Sequence, residues 1–372
     1  MRTTWGRGLA SLRVSFAEKI SARLFTAVTA GPMTRPGRDA ATWAAAAVAA
    51  VVHLFTLGLV VLAGLLLVNA KAGFPLIPIV AAIALVGLAF LMRPRLGRLH
   101  RDAEVVDRET APELYGLADR VADALGARRV WRIVLSPQYN ASYEQVGLRR
   151  RPVLTIGYPL WNVLTAQERV AVLGHELGHG VNGDSRRGLL VGSSYTSLAE
   201  LYRTLRTDPG DSGDTLAAVG STLARAATFV LSLPVLGLLL AQDRLLGQAG
   251  QRAEYFADHL AADLAGVEAT RSALAKLRFS GGVVRNLRTA VLRRDHDVWA
   301  ASRTWLATAE PDPRPEQPHR VDAGHPRTEL RVDALAARQY GPAKVISTRH
   351  DAAAMDRELE PHLREIVSAL RG

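Results

Sequence analysis

The chain of 372 residues contains no cysteine. This absence excludes disulfide bridges, zinc sites built from thiolates and catalysis by a cysteine nucleophile, and it leaves the redox compartment undetermined. Aromatic residues are also scarce, at 6% of the chain, although the formal net charge is +11. The basic residues cluster next to apolar runs rather than among aromatic side chains. This arrangement favours a protein that borders a membrane over one that binds nucleic acid.

Two stretches lack charged side chains altogether, residues 43–68 and residues 74–92. As a helix, the first would extend about 39 Å at 1.5 Å per residue, which is enough to cross a bilayer, and the second is also long enough. We therefore predict an N-terminal hairpin of two transmembrane helices at 43–92. The alternative is a buried helical hairpin of a soluble protein.

Basic residues flank these two stretches unevenly, because only Lys71 lies between them. The positive-inside bias predicts that the N-terminus and everything after Met92 lie in the cytoplasm, with the protein in the plasma membrane. The basic tail, residues 1–42, precedes the first stretch, and its segment 9–29 is expected to be either an amphipathic helix on an anionic surface or a solvated tail. The flanking basic residues are Arg2, Arg7, Arg13, Lys19, Arg23, Arg35 and Arg38 before the hairpin, and Arg93, Arg95, Arg98 and Arg101 after it.

The pattern His-Glu-x-x-His occurs at residues 175–179. The preceding sequence from Thr165 to Glu168 has the form of a capping box, which predicts a helix that begins there. On this helix His175 and His179 share a face about 6 Å apart along the axis, so both imidazoles can bind one ion. Glu176 lies beside them, where it can hold and deprotonate a water molecule. A chance match is the alternative for so short a pattern.

A second helical pattern supplies carboxylates. Glu254 and Asp258 are one turn apart on a predicted helix and therefore share a face. A zinc hydrolase with two histidine ligands needs a third ligand, and a carboxylate on a separate helix can provide it. Asp258 could then accept the second N–H of a ligand histidine and fix its tautomer. The alternative is a surface pair of acidic residues.

A small sheet is predicted before the His-Glu-x-x-His helix. A capping box at 110–113 predicts a helix to about Leu125, and strands are expected at 130–136, 142–148 and 153–157. This order suits a protease in which an extended substrate pairs with an edge strand.

Apolar helices are also predicted at 189–205 and 216–240, as a hairpin covering about 187–245. Because His175 and Glu254 must reach one ion, these helices either cross a membrane as a pair or remain on one side and cover the site. We expect Asp184, just before them, either to orient a neighbouring side chain or to cap the next helix.

Three segments together resemble the membrane zinc metallopeptidases of the HtpX heat-shock protease and CAAX prenyl protease type. They are Gly-His-Glu-Leu-Gly-His-Gly-Val-Asn-Gly-Asp at 174–184, Glu-Tyr-Phe-Ala-Asp at 254–258 and His-Pro-Arg-Thr-Glu-Leu-Arg-Val-Asp-Ala-Leu at 325–335. The resemblance covers roughly residues 43–335. The basic tail and the segment after Tyr340 have no counterpart in it.

The resemblance implies a mainly α fold with a small β-sheet: an N-terminal transmembrane hairpin and a zincin-like catalytic domain at 93–340, followed by a helical extension at 341–372. It implies one zinc ion per chain, protein or peptide substrates, and contact with the lipid bilayer but not with nucleic acid. It leaves the oligomeric state open. The implied residues are zinc ligands His175, His179 and Glu254, the base Glu176, the orienting Asp258, the supporting His325 and Arg331, and the substrate-binding Asn140 and Ala141. From the sequence alone, Asn140 is equally a turn residue.

Overall fold

The computed structural model describes residues 22–37, 40–70, 76–94, 97–99, 103–182, 188–206, 215–309 and 326–371. The chain divides into two compact units. The helical unit comprises Arg38–Leu96 and Arg186–Leu246, and the sheet unit comprises Met1–Gly37, Gly97–Ser185 and Gly247–Gly372.

The regular elements follow the chain in this order. They are α1 (Ala40–Asn69), α2 (Leu76–Leu91), β1 (Glu104–Val106), α3 (Pro112–Leu125), β2 (Arg132–Ser136), β3 (Ala141–Val146), β4 (Arg151–Gly157), α4 (Tyr158–Trp161), α5 (Ala166–Val181), a π-helix (Gly188–Gly192), α6 (Ser193–Arg206), α7 (Thr215–Ala265), α8 (Val267–Leu277), α9 (Ser280–Arg293), α10 (Val298–Thr308), α11 (Thr328–Ala336), α12 (Arg349–Leu359), a 3₁₀ turn (Glu360–His362) and α13 (Leu363–Arg371).

The helical unit is held together by apolar and polar contacts between its helices. Helix α1 packs along α2 and also contacts α6 and the π-helix. Inside the unit, His53 Nε2 lies 3.0 Å from the carbonyl oxygen of Leu190 and 3.2 Å from Ser193 Oγ. Gln242 is fully buried and donates to Ser194 Oγ at 2.7 Å. The polar groups in this apolar unit therefore serve to join its helices.

Large apolar side chains are exposed mainly on the helical unit. Examples that are more than half exposed are Val51, Leu54, Val68, Ile77, Ile83 and Val230. Among the described residues, Ala40–Asn69 and Ala224–Ala265 are long and apolar enough to cross a membrane by length and composition. The second predicted span corresponds to the shorter helix Leu76–Leu91, and residues 71–75 lie outside the described ranges.

The sheet has four strands in the order β1-β2-β4-β3. Strands β2 and β4 are parallel, whereas β1 with β2 and β3 with β4 are antiparallel. The three predicted strands match β2, β3 and β4 within two residues. Strand β1 was missed, because a three-residue strand is too short to show alternation. Strand β3 lies at an edge, so among the described strands only β4 pairs with it.

The predicted cap of α3 is wrong. Thr110 donates its hydroxyl to the carbonyl oxygen of Asp107, and the capping residue Ala111 offers no side-chain hydrogen bond. Instead, the carboxylate of Glu358 on α12 accepts from the backbone N–H groups of Glu113 at 2.8 Å and Leu114 at 3.0 Å. A carboxylate from a distant part of the chain thus satisfies the free donors at the start of this helix.

The second apolar region also differs from the prediction. Instead of a helix that ends near Leu240 and a later one that carries Glu254, there is one continuous helix, α7, of 51 residues with Pro234 inside it. Residues 241–250 are mostly good helix formers and contain no proline. The glycines at 247 and 250 each weaken a helix by only about 1 kcal/mol, which does not end it.

The main core lies in the sheet unit between the sheet, α3, α5 and the C-terminal helices. Met355, Leu359, Ile366 and Leu370 are buried within it. Residues 349–371, which are part of the helical extension expected at 341–372, thus contribute to this core. The domain boundaries inferred from the sequence remain predictions.

The described part of the basic tail packs on the sheet unit. Residues 22–29 are helical, and Leu24 is buried with Tyr255 and Ala334. Arg338 donates to the carbonyl oxygen of Gly31 at 2.6 Å and also to that of Val28. Residues 9–21 of the segment expected to be an amphipathic helix or a solvated tail lie outside the described residues, and the two expectations remain predictions.

A buried ion pair joins α5 to α8. The carboxylate of Glu168 accepts from the backbone N–H of Thr165 at 2.6 Å, from Ser272 Oγ at 2.5 Å and from Lys276 Nζ at 2.6 Å. Burial alone would raise the pKa of Glu168, but these hydrogen bonds outweigh it, and the pKa is lowered. The pair therefore stabilises the fold while Glu168 is ionised.

We predict that Glu168→Gln lowers the free energy of unfolding at pH 7 by about 3–5 kcal/mol, because it leaves the Lys276 charge buried without its partner. A carboxylate with a lowered folded-state pKa stabilises at pH above its unfolded value of about 4.3, and this stabilisation is lost as pH falls through the folded pKa. The difference in the free energy of unfolding between wild type and variant should therefore become smaller from pH 7 towards pH 3. Thermal unfolding of both proteins in detergent at several pH values measures this difference.

Glu268→Gln is the matched control, since Glu268 is 83% exposed and pairs with Arg271 on the surface. It should change stability by no more than about 0.5 kcal/mol. Equal losses in the two variants would contradict a special role for the buried pair.

Candidate metal centre

Helix α5 begins as predicted. Thr165 is its capping residue, and both hydrogen bonds of the capping box with Glu168 are present. Val170, Leu173 and Leu177 are buried in the main core. This packing leaves His175, Glu176 and His179 on the part of the helix surface that lines a cleft of about 620 Å³.

Helix α7 supplies the acidic residues of the centre, and small residues bring it close to α5. A Cβ atom at Gly174 would lie 3.2 Å from Ala261 Cα, and one at Gly178 would lie 3.4 Å from Ala257 Cα. Glycines four residues apart therefore face alanines four residues apart, and larger side chains would separate the helices. The close approach brings Glu254 of α7 to the histidines of α5.

The three predicted metal ligands converge. The Nε2 atoms of His175 and His179 are 3.3 Å apart. Glu254 Oε2 lies 3.5 Å from the first and Glu254 Oε1 lies 3.4 Å from the second. Ligands on a tetrahedral zinc ion at about 2.0–2.2 Å are separated by about 3.3–3.6 Å, so both the spacing and the N/N/O donor set fit zinc.

Two buried charged residues support this triangle. Asp258 Oδ1 lies 2.9 Å from His175 Nδ1, which orients the imidazole so that Nε2 faces the other two ligands. Arg331 of α11 donates to both oxygens of Asp258 at 2.7 Å, and its Nη2 atom is 3.3 Å from Glu254 Oε2. Burial alone would lower the pKa of Arg331, but Asp258 and Glu254 outweigh it and raise the pKa. The guanidinium thus stays charged and holds both carboxylates.

The edge strand β3 forms one wall of the cleft. Asn140 and Ala141 line it, as does Glu176. The loop before β3 is fixed by Gly157, whose N–H donates to Asn140 O at 2.7 Å and where any Cβ would lie 1.9 Å from Gln138 O. The predicted substrate-binding residues and the predicted base therefore face one space.

Two predicted site residues, His325 and Asp184, lie outside the described residues. The neighbouring Pro326 lines the cleft. Conversely, no sequence pattern indicated Tyr143, whose ring lies against Gly180: a Cβ at Gly180 would be 2.9 Å from Tyr143 Cζ. In the sequence, this contact is indicated only by the glycine that follows His179, because glycine has no side chain to block the tyrosine ring.

Comparisons with known proteins agree with this geometry. Residues 109–339 match the family model described as Peptidase family M48. A curated protein named Protease HtpX homolog, from Pyrobaculum calidifontis, is 30% identical over 173 residues, which are 45% of this chain and 46% of that protein. The match thus spans about half the length of that relative. No solved structure matches the chain.

We predict that Gly174→Val weakens zinc binding by about tenfold or more, because it displaces α7 and moves Glu254 away from the histidines. The same overpacking should lower stability by about 1–3 kcal/mol. Competition with a fluorescent chelator gives the zinc affinity, and thermal unfolding gives the stability. Gly116→Val on α3 is the control, because a Cβ there meets nothing within 4 Å. Unchanged zinc affinity in Gly174→Val would show that the close helix contact does not position Glu254.

Proposed function

Because this chain belongs to peptidase family M48, and so to the HtpX-like metallopeptidases, we propose that it is an integral-membrane zinc endopeptidase. Its proposed substrates are misfolded or membrane-associated proteins. The observation that carries the proposal is the convergence of His175, His179, Glu254 and Glu176 in one cleft beside an edge strand. Besides metal ligands, a protease site needs a base and a surface that binds an extended peptide. In this cleft Glu176 and strand β3 would supply them.

The residues of the chain would divide the reaction between them. A zinc ion held by the three ligands would polarise the peptide carbonyl and make a water molecule more acidic. Glu176 would take a proton from the attacking water and deliver it to the nitrogen of the leaving amine. Asp258 and Arg331 would hold the ligands in place, and the edge of β3 that no described strand covers would bind the substrate backbone by strand pairing. His325 would donate to the developing oxyanion, where loss of one donor typically costs about 10²–10³ in rate.

The membrane location is supported by the helical unit. Its exposed apolar side chains are what a lipid-facing surface requires, and large exposed apolar patches are rare on soluble monomers. The distribution of basic residues around 43–92 supports a cytoplasmic position for the proposed catalytic residues. A site there would meet misfolded cytoplasmic and membrane proteins.

Two other functions are kept as alternatives. A processing protease that cleaves one membrane substrate would use the same centre but reject unrelated unfolded proteins. A catalytically silent scaffold would have no use for Glu176, because that residue is not among the metal ligands. Cleavage of an unrelated unfolded protein is expected of the proposed endopeptidase, but not of the processing protease or of the silent scaffold.

We predict that Glu176→Gln abolishes cleavage of an unfolded protein such as casein, with a loss of at least about 10²-fold, while zinc content stays near one per chain. The amide cannot accept the proton, but it leaves the ligands intact. Elemental analysis and the release of labelled fragments measure the two quantities. Glu268→Gln, on an exposed surface, should cleave like wild type. Equal cleavage by wild type and Glu176→Gln with zinc bound would refute the proposed mechanism.

For the membrane topology, we predict that a reporter enzyme fused after Met92 is active only in the cytoplasm. A reporter fused at Ala70, between the two apolar stretches, should be active only outside it. The expectation follows from the concentration of basic residues outside that short connection. Activity of the Met92 reporter outside the cytoplasm would show that the orientation is the reverse of the predicted one. Release of the full chain from membranes by carbonate would show that it is not an integral membrane protein.

A further inference from the structure

The turn between β3 and β4 carries an exposed leucine and consecutive arginines that have no role at the metal centre. Val146 and Arg151 pair with each other across the hairpin, so residues 147–150 form a four-residue turn. Leu148 in this turn is 86% exposed, and Arg149 beside it is exposed as well. The end of the hairpin therefore presents an apolar side chain and positive charge together.

Contacts with the chain before β2 hold this turn in place. Arg128 donates to the carbonyl oxygen of Arg150 at 2.8 Å. Trp131 is 37% exposed, and the guanidinium carbon of Arg151 lies 4.6 Å from the centre of its ring. An exposed indole thus adds to the surface at this end of the sheet. We use "basic tip" for residues 147–150 together with Arg128, Trp131 and Arg151.

Acidic side chains compensate only the arginines around the basic tip. Arg129 and Arg132, which adjoin it, each pair with an aspartate. In the part of the chain that the structure describes, no carboxylate forms an ion pair with Arg128, Arg149 or Arg151. Arginine side chains bind phosphate groups, and tryptophan and leucine side chains enter the boundary between lipid headgroups and acyl chains. The basic tip combines these features of a surface that binds anionic lipid.

The covalent path of the chain indicates that the partner is lipid. The N–H of Gly147 donates to the carbonyl oxygen of Gly97 at 2.9 Å. In the sequence, Gly97 follows Met92, the last residue of the second uncharged stretch, by only five residues. Five residues extend over at most about 18 Å, and this limit holds for any arrangement of the two units. A chain that leaves the bilayer after Met92 therefore keeps the turn near the headgroups.

On these grounds we propose that the basic tip binds the anionic headgroups of the membrane that holds the chain. The arginines would contact lipid phosphates, and Leu148 would enter the headgroup boundary. Ala141, which lines the cleft, precedes Val146 by five residues on β3, or about 17 Å along a strand. The contact would thus keep the cleft within reach of segments that emerge from the bilayer. The proposal rests on the proposed membrane location and not on the proposed catalytic chemistry.

The test labels the full chain at the basic tip. Because the chain has no cysteine, Leu148→Cys provides a single thiol for a fluorophore that responds to its surroundings. The labelled protein is placed in nanodiscs of phosphatidylcholine, with or without phosphatidylglycerol. We expect emission at shorter wavelength in the anionic nanodiscs, and quenching there by lipids that carry a nitroxide near the headgroup. Added salt should reverse both effects, because it screens exposed charges.

The matched control is a label at an exposed apolar residue of the same unit that lies outside the basic tip. Ile346 is 61% exposed, and the neighbouring Lys344 is already paired with Asp263. The label on Ile346→Cys should therefore give the same emission in both kinds of nanodisc.

Substitutions of Arg149 in the labelled protein test the role of charge. Arg149→Gln removes one charge and should lower the equilibrium constant for lipid contact by about fivefold, and Arg149→Glu should lower it by about 25-fold. Arg149→Lys keeps the charge and should behave like the wild type. The fraction of the label that the nitroxide quenches gives the equilibrium constant in each case.

The possible failures are distinct. Equal emission of the Leu148→Cys label in the two kinds of nanodisc would overturn the proposal and leave the membrane location standing. An equal response of the Ile346→Cys label would overturn it too, because lipid contact would not be specific to the basic tip. A response to added polynucleotide but not to anionic lipid would assign this surface to another partner. Release of the unlabelled chain from membranes by carbonate would refute the membrane location, and the proposal with it.

Discussion

The close contact between α5 and α7 is the constraint on which the metal centre depends. The ligands come from distant parts of the chain, and only the paired glycines and alanines let the two backbones approach closely enough for one carboxylate to reach two imidazoles. Small residues four apart make such an approach possible, as they do wherever helices pack backbone to backbone. The glycines in the His-Glu-x-x-His segment therefore have a packing role that is separate from the chemistry of its neighbours.

Buried charges then fix what the contact brings together. Arg331 holds Asp258 and Glu254 from α11, and Lys276 holds Glu168 from α8. Such pairs give little net stability compared with apolar residues, because desolvation offsets their attraction, but breaking one leaves a charge buried and is costly. The first pair thus connects α11 to α7, and the second connects α8 to α5. Asp258 of the first pair lies 2.9 Å from His175 Nδ1, where it can accept a hydrogen bond that leaves Nε2 for a metal ion.

The sequence predicted the parts of the site that local rules determine. The start of α5 follows from its capping box, and the position of Glu254 beside the two histidines agrees with its prediction as the third ligand. It failed where the decisive partner is distant in the chain: Glu358, not Thr110, supports the start of α3. Helix α7 continues past the predicted boundary because nothing near residue 245 ends a helix. The contact between Tyr143 and Gly180 was not predicted, because it forms only once β3 packs on α5.

A strand edge that no other described strand covers would select for unfolded substrates on physical grounds. Pairing with β3 uses only backbone groups, so it tolerates any sequence but requires an extended segment. Folded proteins rarely offer one, since their backbone groups are already paired. A cleft that requires an extended backbone would therefore distinguish misfolded from native proteins without recognising any particular sequence.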